Sequence, residues 1–208
     1  LKFSPVSLLS EEYTGESVKS KHNRLKTLLN VEGQFLYIIS SCDEIAWLCN
    51  IRGRDIPYNP LPLSYAAVSA EKIFLFVDSS SFTLQDKRAL ERDDVVIMPY
   101  DTFSSFITDY PERALRIANP DKISIRNYNS SVKGGARFQL DQIRGGAVSM
   151  LKAIKNQVEQ EGFRKAMIQD GIAWVKTLRA IEEKLNSDKR VTEKDIATLF
   201  SDFRSLSP

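Results

Sequence analysis

Histidine is almost missing from this chain: His22 is the only one in 208 residues. A Ser-His-Asp or Cys-His nucleophilic site would have to be built on it, and no metal-ligand spacing surrounds it. Its neighbours Lys21, Asn23 and Arg24 are polar, so His22 is expected to be a solvated or half-buried helix residue. Cysteine is scarce too. Cys42 and Cys49 share one apolar segment, fit no zinc spacing and read as two buried, reduced thiols. There is no HExxH, no Gly-rich phosphate loop and no EF-hand pattern. No apolar run approaches the ~20 residues that cross a bilayer, and no signal-peptide pattern opens the chain. Neither sign of charge is in excess: 29 basic and 27 acidic residues leave a net +2. That excludes a general nucleic-acid or membrane-surface binder, which would carry a basic excess. A cytoplasmic protein with no nucleic-acid and no membrane partner is therefore expected.

What is present is ordinary globular material, 42% hydrophobic and 27% charged. The length suits one full domain plus a smaller unit. Residues 1–16 are turn-rich, with Pro5 and Gly15. Ser17 is placed to cap a helix on which Val18, Lys21/His22, Leu25 and Leu28/Leu29 recur at helical spacing. Phe35–Ile39 is a continuous apolar, β-favouring run, hence a buried strand. Asp43 is expected to cap a short helix, Glu44–Cys49. Ser64–Ser69 and Lys72–Val77 read as a hairpin, and Thr83-x-x-Asp86 as a capping box before a short helix. Val95–Met98 and Arg116–Ala118 read as strands, Thr102–Ile107 as a helix, and Ile123–Val132 as either. This succession predicts an α/β domain on a mixed sheet flanked by helices. Gly134-Gly135 and Gly145-Gly146 bracket a loop region, after which the period changes to helical. Leu151, Ile154 and Val158 begin an apolar stripe that Phe163, Ile172, Val175, Leu178 and Ile181 continue. Asn186-Ser-Asp ends it, and Thr192-x-x-Asp195 is placed to cap a last helix. The helical tail's stripe is broad enough to seek a partner, a second copy included.

The most informative segment runs from Asp43 to Pro60. An apolar stretch with Trp47 and Leu48 stops at Asn50; Arg52-Gly53, Arg54, Asp55, Pro57 and Pro60 follow. Gly53 permits a tight turn or a close backbone approach. The prolines hold the exit extended and keep Ile56 and Asn59 out of helix. A buried element thus ends in a rigid loop, where functional groups tend to sit. Asn50 and Arg52 are the candidate substrate-binding residues. A guanidinium here can hold a carboxylate or carbonyl bidentately; alternatively, Arg52 pairs with Asp55 and pins the loop. Trp47 and Trp174 lie in apolar stripes and read as core or interface aromatics.

This run resembles the "DEIAWL-N-RG-DI-YNP" signature of the middle domain of three-domain Xaa-Pro aminopeptidases, in the creatinase/prolidase superfamily. Tyr13-Thr-Gly-Glu-Ser17 with Lys21 resembles the opening of that domain. Lys152-Ala-Ile-Lys-Asn156, Glu159 and Gly162 resemble its junction with the catalytic domain. Ala166-Met-Ile-Gln-Asp-Gly-Ile-Ala173 resembles the first long helix of the catalytic "pita-bread" domain.

The resemblance implies a creatinase/prolidase N-terminal-like fold and three stretches: a linker (1–16), the α/β domain (17–147) and the helical start of the catalytic domain (148–208). The start at Leu1-Lys2, without Met, and the end at Ser205-Leu-Ser-Pro208 fit an excised piece of a longer protein. In the family, two divalent metal ions, here expected to be manganese, are held by two Asp, one His and two Glu. Those ligands lie beyond the helices seen here, so no metal ligand and no cofactor is assigned to this piece, which is expected to be inactive alone. The parent would cleave peptides with proline in the second position, and would be a homo-oligomer whose noncatalytic domains limit access and aid dimerisation. One departure stands out: many relatives carry histidine where this chain has Met167, and a thioether carries no proton. The other reading is a peptide- or protein-binding module of a catalytically dead pita-bread relative.

Overall fold

Pro5 and Gly15 leave only short elements at the start, β1 (Ser7–Leu8) and α1 (Glu11–Thr14). The Ser17 hydroxyl accepts the Ser20 N–H at 3.1 Å and starts α2 (Val18–Leu29), which Asn30 closes in the left-handed region. There follow β2 (Phe35–Ile39), α3 (Cys42–Leu48), β3 (Ile51–Arg52), β4 (Tyr65–Val68) and β5 (Ile73–Val77). Next are α4 (Leu84–Arg92), β6 (Val95–Pro99), α5 (Phe103–Asp109), β7 (Leu115–Ala118), α6 (Ile125–Val132), β8 (Phe138–Leu140) and α7 (Ala147–Ala153). Two helices close the chain, α8 (Gln157–Asn186) and α9 (Glu193–Ser205). The structure, a computed structural model, describes residues 3–187 and 190–205. It divides into two compact units, Leu1–Lys155 and Asn156–Pro208.

The first unit is built on a six-stranded sheet of order β6-β5-β4-β2-β7-β8. β4 is antiparallel to both β2 and β5, while β5–β6, β2–β7 and β7–β8 are parallel. The sheet is therefore mixed, as the succession of elements predicts. β1 and β3 form a separate antiparallel pair. Every residue of β2 is buried because both faces of the sheet are covered. Phe35, Tyr37 and Ile39 join a core with Leu25 of α2, Ile45 and Leu48 of α3, Leu90 of α4 and Val148 of α7. Leu36 and Ile38 turn to the other face, against Phe103 and Ile107 of α5. Each fully buried aliphatic side chain contributes about 1.5–3 kcal/mol. On that second face Arg116 is buried, its guanidinium donating to the carbonyls of Ile107 (3.4 Å) and Tyr110 (2.7 Å) at the end of α5. A cation there meets the negative end of the helix. Its Nε is the one buried side-chain polar atom without a partner among the described residues.

Several boundaries differ from the sequence reading. α3 begins at Cys42, with Ser41 rather than Asp43 at the cap position. Asp43 sits instead in the first turn, where a carboxylate favours the helix dipole, and pairs with Lys152 at 2.5 Å. The ambiguous run is helical: the Ser124 hydroxyl accepts the Asn127 N–H at 3.3 Å and starts α6. β8 arises within the stretch expected to be loop. The apolar stripe of residues 151–158 is interrupted, because α7 ends at Ala153 and Asn156 starts a new helix by a reciprocal capping box with Glu159.

The second unit is the α8–α9 pair. The rings of Trp174 and Phe200 meet at 4.6 Å between centroids with a tilt of 42°, and Arg204 Nε donates to Asp170 at 2.6 Å. Thr192 and Asp195 make the expected capping contacts at 2.8 and 3.3 Å. α8 ends at Asn186; the Asp188 of the expected stop lies outside the described residues.

Candidate functional site: the loop after the third helix

Trp47 and Leu48 are buried, and the chain leaves α3 through Asn50, whose φ of 52° is left-handed. Asparagine tolerates this conformation better than most residues. Its side chain is buried and engaged at both ends. Asn50 Oδ1 accepts Lys21 Nζ at 2.5 Å, and Asn50 Nδ2 donates to the Glu16 carbonyl at 2.9 Å. Lys21, itself buried, also donates to the Trp47 carbonyl at 2.8 Å and lies 4.4 Å from the centre of the Trp47 ring. These contacts give the buried ammonium the partners it requires. The Glu16 carboxylate takes Ser20 Oγ at 2.7 Å and Arg24 Nη1 at 2.6 Å.

Beyond Asn50, the half-buried Arg52 donates through Nη1 to the carbonyls of Ala46 (3.2 Å) and Ile51 (2.8 Å). Asp55 pins the loop through backbone rather than through Arg52: its carboxylate accepts the N–H groups of Ser4 (2.6 Å) and Leu63 (2.7 Å). Gly53 is needed for close approach, since a Cβ there would sit 2.8 Å from Pro62 Cβ. Pro57 and Tyr58 form the centre of a turn closed by the Asn59 N–H to the Ile56 carbonyl at 3.1 Å. Tyr58 has φ 64° and is fully exposed, and Arg54 is exposed too. The loop therefore has a rigid, internally bonded base and an exposed rim.

Nucleophilic chemistry does not fit this base. Burial pushes the Cys49 thiol up to about 12, so it stays protonated at neutral pH. Cys42 is only half-buried, contrary to the expectation of two buried thiols, and its Sγ faces the Ser64 carbonyl at 3.8 Å. His22 is fully buried rather than solvated or half-buried, with Nε2 2.8 Å from the Ser69 carbonyl. It turns inward because it shares the α2 face of Val18, Lys21 and Leu25. Burial depresses its pKa, which favours the neutral Nε2–H tautomer donating to Ser69. Met167 is exposed on α8. Among the described residues, no group of three or more His, Cys, Asp or Glu side chains could hold a metal ion.

Sequence reasoning missed two polar networks near the carboxyl ends of β2 and β7. Buried Glu44 accepts Lys122 Nζ at 2.5 Å and Ser149 Oγ at 2.6 Å. The Tyr37 hydroxyl donates to Asp141 at 2.6 Å, and the Ala147 N–H donates to the same carboxylate oxygen at 2.8 Å. Burial, with Asp141 beside it, raises the Tyr37 pKa far above its usual value. The first network ties α7 to α3 and to the segment after β7, and the second ties the start of α7 to β2. The only local signal was a single hydroxyl, Tyr37, in an otherwise hydrocarbon strand.

This sandwich of helices on a mixed sheet, with the latched loop after α3, defines an α/β domain seen in known proteins. The creatinase/prolidase N-terminal domain matches over residues 1–159, and the chain belongs to that family. A probable Xaa-Pro aminopeptidase P of Sordaria macrospora is 34% identical over 208 residues, covering 97% of this chain and 34% of that protein. Its counterpart in Colletotrichum graminicola is 30% identical over 211 residues, with the same coverage. Among solved structures, the X-prolyl aminopeptidase of Caenorhabditis elegans, described as a cytosolic enzyme with a di-nuclear active site, superposes with a TM-score of 0.88 at 29% identity. That match covers 99% of this chain and 34% of the other. The X-Pro aminopeptidase of Thermotoga maritima shares the fold, with a TM-score of 0.59 at 18% identity. The chain thus spans about a third of the length of the curated relatives it matches.

Proposed function

We propose that this chain is the middle domain, with the helical start of the catalytic domain, of a metal-dependent Xaa-Pro aminopeptidase. The observation that carries the reading is the near-complete superposition on one third of the Caenorhabditis elegans enzyme. In this reading residues 1–16 are a linker, 17–147 the α/β domain and 148–208 the opening helices of the pita-bread domain. The substrates are peptides with proline in the second position, and the protein works in the cytoplasm as a homo-oligomer. Two divalent metal ions, manganese by preference, would be held by the parent's two Asp, one His and two Glu beyond this piece, to activate water and stabilise the tetrahedral intermediate. This domain contributes geometry: it narrows the approach to the cleft and aids dimerisation. Arg52 and Asn50 hold the loop that faces the substrate side. Supporting this division of labour, the base of that loop is spent on internal bonds, while its rim is exposed.

The test has two arms. The full-length parent should release the N-terminal residue from an Xaa-Pro peptide when manganese is supplied, and the 208-residue chain should release none with any divalent metal. Release by the isolated chain would refute the assignment. A parent without the two-Asp, one-His, two-Glu set would favour the binding-module reading, to which Met167 leans.

A further inference from the structure

We propose that Tyr58 is a substrate-contact residue of the parent enzyme: its ring receives the part of a peptide that follows the proline, so this domain reads substrate length. This rests on the Xaa-Pro reading above and adds a residue and a subsite to it. The backbone of Tyr58 is unusual for its residue type. Four non-glycine residues have positive φ among the described residues, and three of them are Asn30, Asn50 and Asp94. Their short polar side chains tolerate that region. The fourth is Tyr58, at φ 64°. A turn with proline second, here Pro57, and a positive φ third is one that ordinarily takes glycine third.

Nothing inside the domain compensates for that conformation. Tyr58 is the most exposed large apolar side chain among the described residues, where it makes no hydrogen bond or ring contact. Yet the turn that holds it is braced. The Gly53 N–H donates to the Pro60 carbonyl and the Asp55 N–H to the Leu61 carbonyl, both at 3.2 Å, which ties the two legs of the loop together. Asn59 Nδ2 donates to the Pro57 carbonyl at 3.2 Å, and the Asp55 carboxylate holds the Leu63 N–H of the returning leg at 2.7 Å. A strained residue that its surroundings over-determine points to a function. A ring fixed in advance loses little freedom on binding.

The proposed reading narrows what such a ring meets. The N-terminal residue and the proline go to the metal ions, beyond this piece. A domain that narrows the approach therefore meets the residues that trail behind them. A tyrosine ring has an apolar face and a polar tip. That combination suits the side chains and carbonyls of an extended peptide without selecting one sequence. Proline-containing segments are stiff and extended, and they seat well on aromatic faces. A dipeptide ends at its proline and does not reach the ring, whereas a longer peptide does.

The test measures kcat/KM of the full-length parent on Xaa-Pro peptides of increasing length, starting from the dipeptide. The gain from lengthening should fall about tenfold in Tyr58→Ala and Tyr58→Gly, chiefly through KM, and survive in Tyr58→Phe. Urea unfolding of the chain separates this from damage to the fold. Tyr58→Gly relaxes the turn and should be more stable than Tyr58→Ala while losing the same gain. Equal losses at every length, the dipeptide included, would overturn the subsite, since the ring would then pack against another part of the parent. No gain in the wild type, or a gain undiminished in both variants, would overturn it too and leave the Xaa-Pro reading intact. A parent that cleaves no Xaa-Pro peptide refutes that reading, and the subsite with it.

Discussion

The Asn50 amide joins two segments remote in sequence, its oxygen holding the Lys21 ammonium and its nitrogen the Glu16 carbonyl. Asn50→Ala removes bonds to a buried charge and places a Cβ-bearing residue without polar help in the left-handed region. A loss of about 2–4 kcal/mol is expected. Asn50→Gly keeps the backbone comfortable and should lose about 1 kcal/mol less. Urea unfolding of both variants checks this, and equal losses would mean that backbone conformation contributes nothing. His22 sets a second expectation. Burial holds the folded imidazole's pKa below its ordinary 6.5, with Lys26 adding to the effect and Ser69, Asp94 and Glu71 opposing it. As pH falls below about 6.5 the unfolded chain binds a proton that the folded chain resists, so this contribution is full above that pH and fades below it. His22→Gln, which can still donate to Ser69, should flatten that limb of the stability profile. An unchanged slope between about pH 5 and 7 would show His22 to be silent. Much of the base was legible, since Lys21 and His22 stand on the apolar stripe of α2. That they point inward could not be read, because their acceptors on Trp47, Asn50 and Ser69 lie in other elements.

β2 has paired neighbours on both edges and helices over both faces, and β5 is enclosed by β4 and β6. Their amides should be among the slowest in native-state hydrogen exchange, and fast exchange throughout both runs would contradict the sheet order. These strands were legible because their apolar runs are long and bounded by polar residues, and the helix starts at Ser17, Thr83 and Thr192 because capping is written in adjacent residues. The elements that escaped lack a local cause. β8 is three residues between two glycine pairs and exists only because β7 offers it an edge. The cap of α3 was misplaced because Ser41 and Asp43 are both good cap residues, and Lys152 draws Asp43 away. The break before α8 was visible only in the reciprocal Asn156–Glu159 box, which an uninterrupted apolar stripe disguised.

Across the whole chain, the mixed α/β class followed from the order of strand and helix signals, whereas the networks that lock α7 in place did not. Tyr37 and Asp141 stand 104 positions apart, and nothing in either neighbourhood announces the other. The sheet order has a further result during synthesis. β4 reaches β2 early, but β7, its neighbour on the other side, pairs Leu115 with Phe35 about 80 residues later. At roughly 5–20 residues per second a ribosome takes about 4–16 s to deliver it. For that interval β2, buried on both faces in the finished sheet, lacks its β7 edge, so the nascent chain presents a several-second binding opportunity to holding chaperones, which closes when β7 emerges.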